Sequence, residues 1–169
     1  MAIRGFLHAG DHVITTCYEH NSVLRTLKDL EEEGVQVTIL DCNLQDFAHA
    51  FEKEIKQNTK LVITTHVSNV TGDITDVKAV GKICRFHHLA YLVDGAQSAG
   101  HLDVDLERSG ITFFTFSGHK GLLAITGVGG LLVKKGTHLK PLLFGGTGTD
   151  SKNLIQPTEF PEGYERGTL

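Results

Sequence analysis

Short apolar runs alternate with longer amphipathic segments along most of the chain. The apolar runs are rich in β-branched side chains, which is typical of buried strands. They predict strands at His12–Thr16, Val35–Leu40, Lys60–Thr65, Ala90–Val93, Thr112–Phe116 and Gly129–Lys134. Apolar residues at helical spacing predict three helices: one from an Asn21-Ser22 cap to Gly34, one over Asn43–Lys56, and one from an Asp76 cap to about His88.

This alternation predicts an α/β fold, with a mostly parallel sheet that is covered by helices on both faces. From Lys135 onward Gly, Thr and Pro dominate, which predicts a loop region. A chain of 169 residues has the length of one domain. Ligands of open α/β sheets bind beyond the carboxyl ends of the strands, so a site is expected in the segments that follow them.

Composition excludes several classes of partner. The net charge is −4 and Lys and Arg form no run, so nucleic acid is not expected to bind. The longest apolar stretch, Leu122–Val133, spans twelve residues and contains three glycines, which predicts no membrane helix. The three cysteines, Cys17, Cys42 and Cys84, lack C-x-x-C spacing, so we expect buried free thiols in a reduced, cytoplasmic setting.

Two reactive groups follow predicted strands. Asp94 ends an apolar strand, where a buried carboxylate needs a cationic partner. Lys120 follows an aromatic strand and lies among glycines, so partial desolvation favours its free amine. The cofactor pyridoxal 5'-phosphate (PLP) requires these two groups: a lysine amine that forms a Schiff base and a carboxylate that pairs with the ring nitrogen. The alternatives are that Asp94 caps a turn and that Lys120 lies on a solvated loop.

Four motifs support this hypothesis together. They are Glu19-His-Asn-Ser-Val-Leu24, His66-Val-Ser-Asn-Val-Thr-Gly72, Val93-Asp-Gly-Ala-Gln-Ser98 and Ser117-Gly-His-Lys120. The order and spacing of these motifs resemble those of the class V aminotransferases, and within them those of the cysteine desulfurase and selenocysteine lyase group. The resemblance implies a PLP-dependent transferase large domain, here incomplete, over residues 1–169, without an N-terminal segment and a C-terminal small domain.

The resemblance also implies a role for individual residues. Lys120 would form the Schiff base and move a proton, Asp94 would bind the pyridine nitrogen, and Gln97 the phenolate oxygen. His20 would stack on the ring and take part in catalysis, with Asn69 near the ring and the substrate carboxylate. From the residues alone, His20 and Asn69 are also explained as ordinary turn residues.

The phosphate of PLP would have three ligands in this resemblance. Ser117 and His119 would bind it from the same subunit. Gly167-Thr168 matches a pair that reaches the phosphate of the neighbouring subunit in the family. No metal site is expected, because Cys84, His87 and His88 lack a second ligand pair.

The implied function is that of a cysteine desulfurase, which removes sulfur from L-cysteine to give L-alanine and an enzyme persulfide. A homodimer and a sulfur-acceptor protein are expected by the same resemblance. Family members are more than twice this length, so we expect weak PLP binding and little turnover from these residues alone. Two alternatives remain: another class V enzyme (an aminotransferase, selenocysteine lyase or epimerase-like enzyme), or a non-catalytic remnant that acts as a dimerisation module.

Overall fold

The computed structural model describes residues 1–44, 46–146, 152–165 and 167, and these residues form one six-stranded sheet with four helices. The strands are β1 (His12–Thr16), β2 (Gln36–Leu40), β3 (Thr59–Thr65), β4 (Ala90–Asp94), β5 (Phe113–Ser117) and β6 (Gly129–Val133). The helices are α1 (Ala2–Phe6), α2 (Asn21–Glu32), α3 (Phe47–Glu52) and α4 (Val77–Phe86).

The strand order is β2-β1-β3-β4-β5-β6. The first five strands are parallel, and β6 alone among the described strands runs antiparallel to its neighbour β5. The segment between β5 and β6 turns back on itself, which is the connection that joins antiparallel neighbours. The prediction of a mostly parallel α/β sheet is confirmed.

Helices cover both faces of the sheet. Buried residues of α1 and α2 pack in one apolar cluster, and buried residues of α3 and α4 pack in another. Neighbouring strand residues alternate between the two clusters: Leu61 and Ile63 belong to the first and Val62 to the second. This alternation follows from the two-residue period of a strand, and it gives the sheet an apolar layer on each side.

The helix predictions need three corrections. The helix α1 was not predicted, because five residues are too few to show a helical period. Helix α3 is only six residues long, rather than the predicted Asn43–Lys56, although Phe47, Ala48 and Phe51 form its buried side as expected. The cap of α2 is His20 rather than Asn21 or Ser22, because the His20 side chain accepts from Ser22 N.

The bounds of β1 are as predicted, and the other strands differ from their predicted bounds by one residue at one or both ends. Asp76 caps α4 by accepting from Lys78 N and Ala79 N. Gly34, just after α2, has a φ of +93°, a conformation that glycine adopts without a Cβ clash.

The three cysteines are free, but they are not all buried as predicted. Cys84 is buried in the second cluster, and burial raises the pKa of its thiol. Cys17 is exposed, because it follows the last residue of β1, and its Sγ donates to Asp41 Oδ1 at 3.5 Å. None of the helices in the described part of the chain is long and apolar enough to cross a bilayer.

Candidate active site

The carboxyl ends of β1, β3, β4 and β5 surround a cavity of about 530 Å³, within the range of ordinary ligand pockets. Every predicted site residue that the structure describes lines this cavity. These residues are His20, Asn69, Asp94, Gln97, Ser117, His119 and Lys120. Thr168 lies outside the described residues, so its predicted role is not addressed by the structure.

Strand order explains why the cavity forms here. The chain runs from β1 outward to β2 at the sheet edge and then returns to place β3 on the other side of β1. The strand order therefore reverses between β1 and β3. Loops that leave neighbouring strands in opposite directions open a crevice at such a point. Asp41 follows β2 and contacts Cys17, so the segment after β2 places this carboxylate away from the cavity lining.

Asp94 is the last residue of β4 and lies between Thr65 of β3 and Thr115 of β5. Its Oδ1 accepts from Ala96 N at 2.9 Å, so it caps a turn, as the alternative interpretation proposed. The same half-buried side chain also lines the cavity. The turn contact therefore orients the carboxylate and does not exclude it from binding a ligand.

Lys120 lies three residues after β5 in a loop that is closed by backbone hydrogen bonds. Gly118 N donates to Val128 O and Ala124 N donates to Gly118 O, both at 2.8 Å. Within this loop Ser117 Oγ and His119 Nδ1 are 3.2 Å apart. The half-buried Lys120 side chain and these two polar groups reach the cavity from one side.

Two glycines allow the Asp94 and Lys120 loops to pack closely. A methyl group added at Gly100 would lie 2.5 Å from Gly121 O, and one added at Gly121 would overlap Ala99 O. Any larger residue at either position would push the two loops apart. The absence of side chains at these positions therefore helps to set the spacing between the carboxylate and the amine.

Gly100→Ala is expected to destabilise the chain more than Gly136→Ala. Both glycines have nearly the same positive φ, +85° and +84°, so both substitutions carry the same backbone strain of about 1–2 kcal/mol. Gly136 has open space around it, whereas the Gly100 methyl meets backbone, which adds about 1–3 kcal/mol. Urea unfolding of both variants measures the difference, and equal losses would contradict close packing of the loops.

His20 and Asn69 enter the cavity from short turns. His20 Nδ1 accepts from Ser22 N at 3.2 Å and lies 2.9 Å from Ser22 Oγ. Asn69 belongs to a turn in which Gly72 N donates to Ser68 O. His20 is therefore a hydrogen-bonded residue and Asn69 a turn residue, as the alternative interpretation held, and both side chains are exposed on the cavity lining. Their predicted roles toward a ligand stay predictions.

Glu19 was not singled out from the sequence, although it stands in the first motif. It is buried, and its Oε1 accepts from Thr16 Oγ1 and from Thr65 N, each at 2.7 Å. Burial raises the pKa of Glu19 to about 7. No local signal distinguishes Glu19 in the sequence, since Cys17 follows the same strand and is exposed.

The sequence model of the family described as Aminotransferase class-V matches residues 1–169. The chain belongs to this family. A probable cysteine desulfurase of Pyrococcus abyssi is 38% identical over 167 residues, which cover 94% of this chain and 41% of that protein. A probable cysteine desulfurase of Methanothermobacter thermautotrophicus is 37% identical, over 95% of this chain and 42% of that protein. The chain thus spans less than half the length of these relatives.

Solved structures of similar proteins share this architecture. The apo structure of a cysteine desulfurase from Thermococcus onnurineus NA1 superposes with a TM-score of 0.85 at 36% identity, over 96% of this chain and 42% of that one. A C-DES mutant with glycine covalently linked to its PLP cofactor gives a TM-score of 0.84 at 27% identity, over 97% of this chain and 46% of that one. The resemblance to cysteine desulfurases that the motifs indicated is confirmed.

Proposed function

We propose that residues 1–169 are part of the PLP-binding large domain of a cysteine-desulfurase-like enzyme. The whole enzyme would remove sulfur from L-cysteine, giving L-alanine and an enzyme persulfide. The observation that carries this proposal is the placement of Lys120 and Asp94 on one cavity at the carboxyl edge of the sheet. Relatives named cysteine desulfurase and a neighbour that holds PLP support it.

The chemistry of the cavity fits this cofactor. PLP needs a carboxylate for its ring nitrogen, an amine for its aldehyde and donors for its phosphate. Asp94 offers the carboxylate and Lys120 the amine, while Ser117 and His119 stand beside Lys120 as donors. Among the described residues, no three His, Cys, Asp or Glu side chains lie close enough together to hold a metal ion that would compete for these groups.

Each residue would then have a defined task. When bound, PLP supplies an electron sink for bonds at the α-carbon of an amino acid. The Asp94 carboxylate keeps a proton on the ring nitrogen, and its bond from Ala96 N fixes its orientation. Lys120 Nζ moves the proton at the substrate α-carbon. The imidazole of His20, held by Ser22, would cover one face of the ring and exclude water from it.

Further features of the whole enzyme belong to the same proposal. We propose a homodimer in which Thr168 reaches the phosphate of the neighbouring subunit, and an acceptor protein that takes the sulfur. Gln97 would bind the phenolate oxygen and Asn69 would approach the substrate carboxylate, since both line the same cavity as Asp94. A cytoplasmic location stays a prediction.

Treatment of the chain with PLP and then borohydride is expected to attach a pyridoxyl group to Lys120. Borohydride reduces the link between an amine and the aldehyde, so the group survives digestion and its position can be found by peptide mass spectrometry. Lys120 should be labelled in preference to the exposed lysines, because Asp94 and the phosphate donors hold the aldehyde beside it.

Two variants serve as controls for this labelling. Lys120→Ala should lose the label at the site, together with the visible absorbance that PLP acquires on binding. Lys60→Ala, which removes an exposed lysine on β3 away from the cavity lining, should keep both. Labelling spread evenly over the lysines at all PLP concentrations would contradict the proposed function.

A further inference from the structure

Glu19 is a buried carboxyl group with only one of its two oxygens satisfied. Its exposed fraction is 6%. Oε1 accepts both hydrogen bonds, from Thr16 Oγ1 and Thr65 N, whereas Oε2 has no hydrogen-bond partner among the described residues. Since a buried ionised carboxylate is costly without full pairing, this environment favours the protonated acid.

The two hydrogen bonds of Glu19 link the parts of the chain that form the cavity. Thr16 ends β1 and Thr65 ends β3, so one oxygen holds the carboxyl ends of these strands together. The next residue after Glu19 is His20, and the Asn69 turn follows β3. Thr65 also pairs in register with Asp94. Glu19 therefore lies one strand away from the carboxylate that is proposed to bind the ring nitrogen.

The charged surroundings of Glu19 come from several elements. Asp94 and Tyr91 on β4 both interact with it electrostatically, His20 follows it in the chain, and His66 follows Thr65. Within the described chain Glu19 forms no salt bridge, and Lys120 reaches the cavity from the β5 side. Burial raises the pKa of Glu19 most, the nearby Asp94 raises it further, and the hydrogen bonds from Thr16 and Thr65 lower it.

We propose that Glu19 is a positioning residue that holds β1 and β3 together as a neutral acid and releases its proton when positive charge binds beside Asp94. This inference rests on the proposed function, in which the positive charge is the protonated ring nitrogen of PLP. A cation at Asp94 offsets the repulsion between the two carboxylates and attracts the charge of ionised Glu19. Cofactor binding and the proton of Glu19 are thereby linked.

Unfolding measurements on the chain without PLP test whether Glu19 is a neutral acid in the folded state. Folded Glu19 binds its proton more tightly than the unfolded chain does, with a pKa of about 7 against 4.5. Stability from this group is therefore greatest at low pH, falls as the pH rises from 4.5 to 7, and is constant above 7. Relative to Glu19→Gln, which keeps an acceptor but does not titrate, the wild-type folding equilibrium constant should fall on the order of a hundredfold across this range.

Thr16→Val is a second variant, for which a different pH dependence of stability is expected. It removes the hydroxyl that donates to Oε1, a bond that favours the ionised form. The pH-dependent loss of stability should therefore extend to higher pH than in the wild type. A purely structural role for Thr16 would lower stability by the same amount at every pH.

Titration with PLP tests the proton release. Affinity is measured by absorbance between about pH 5.5 and 8.5 for the wild type and for Glu19→Gln. Titrations of PLP itself affect both proteins alike and cancel in the ratio of the two affinities. The ratio of wild-type affinity to Glu19→Gln affinity should rise as the pH approaches 7 and then level off. The total rise should be about tenfold for each unit by which PLP lowers the pKa of Glu19.

Each outcome decides one part of the proposal. Unfolding curves whose difference does not change with pH would show that Glu19 is not a neutral acid. A pH-dependent difference in unfolding with a constant affinity ratio would overturn the release of the proton at Asp94. If the wild type binds no PLP at any pH, PLP binding by these residues fails and the release step with it, while the unfolding data still decide the protonation of Glu19.

Discussion

Phe113→Ala is expected to lower the free energy of unfolding by about 3–5 kcal/mol. Phe113 is fully buried in β5, in the apolar cluster that α1 and α2 cover. Its ring meets that of Phe6 edge-to-face, with centroids 5.2 Å apart. Truncation removes the transfer free energy of a whole ring and leaves a cavity that the paired strands on either side cannot close. Urea denaturation followed by circular dichroism measures the loss.

Phe86→Ala is the matched control for Phe113→Ala. Phe86 lies in the last turn of α4 and is 77% exposed, so its truncation removes little buried area. We expect a change within about 1 kcal/mol for this variant. Similar losses for both phenylalanines would contradict the assignment of Phe113 to the core.

Asp94→Asn is expected to weaken PLP binding by about ten- to a hundredfold, the range that corresponds to one hydrogen bond to a charged group. Asparagine keeps a side-chain oxygen that can accept from Ala96 N, so the turn after β4 is preserved. The variant loses only the negative charge that the ring nitrogen would pair with. An absorbance titration with PLP at fixed pH gives the two dissociation constants.

Asp103→Asn controls for the general loss of one negative charge. Asp103 is exposed and lies outside the cavity lining, in the loop between β4 and β5. Its variant should bind PLP with the affinity of the wild type. Equal affinities for all three proteins would mean that Asp94 does not pair with the cofactor, even though it lines the cavity.

Much of this architecture could be predicted from local patterns. The bounds of β1, the capping of α4 by Asp76 and the alternation of apolar strands with helices follow from side-chain periodicity and hydrogen-bonding chemistry, which act over a few residues. The same patterns failed where an element was too short for a period, as in α1. They also failed where a solvent-facing strand end exposed a residue that composition alone would bury, as at Cys17.

In the candidate site, too, some residues could be predicted from the sequence and one could not. Lys120 and Asp94 were predicted because reactive side chains after apolar strands are a local feature of the sequence, and the resemblance to class V aminotransferases implied Gln97, His20, Asn69, Ser117 and His119. Glu19 stood among these residues without distinction. Its burial comes from packing against β3, and its hydrogen bond to Thr65 N joins residues that are 46 positions apart.

By itself, the sequence determined the family, the class of fold and the polar groups that follow each strand, since these depend on residue type and spacing. Only the tertiary structure decided that β3 pairs with β1, and therefore that the groups after β1, β3, β4 and β5 share one cavity while Asp41 lies elsewhere. It also decided the burial of Glu19 and the raised pKa of its carboxyl group. The shared cavity and the environment of Glu19 depend on contacts between segments that are distant in the sequence. The free energies of such contacts cannot be read from a local pattern.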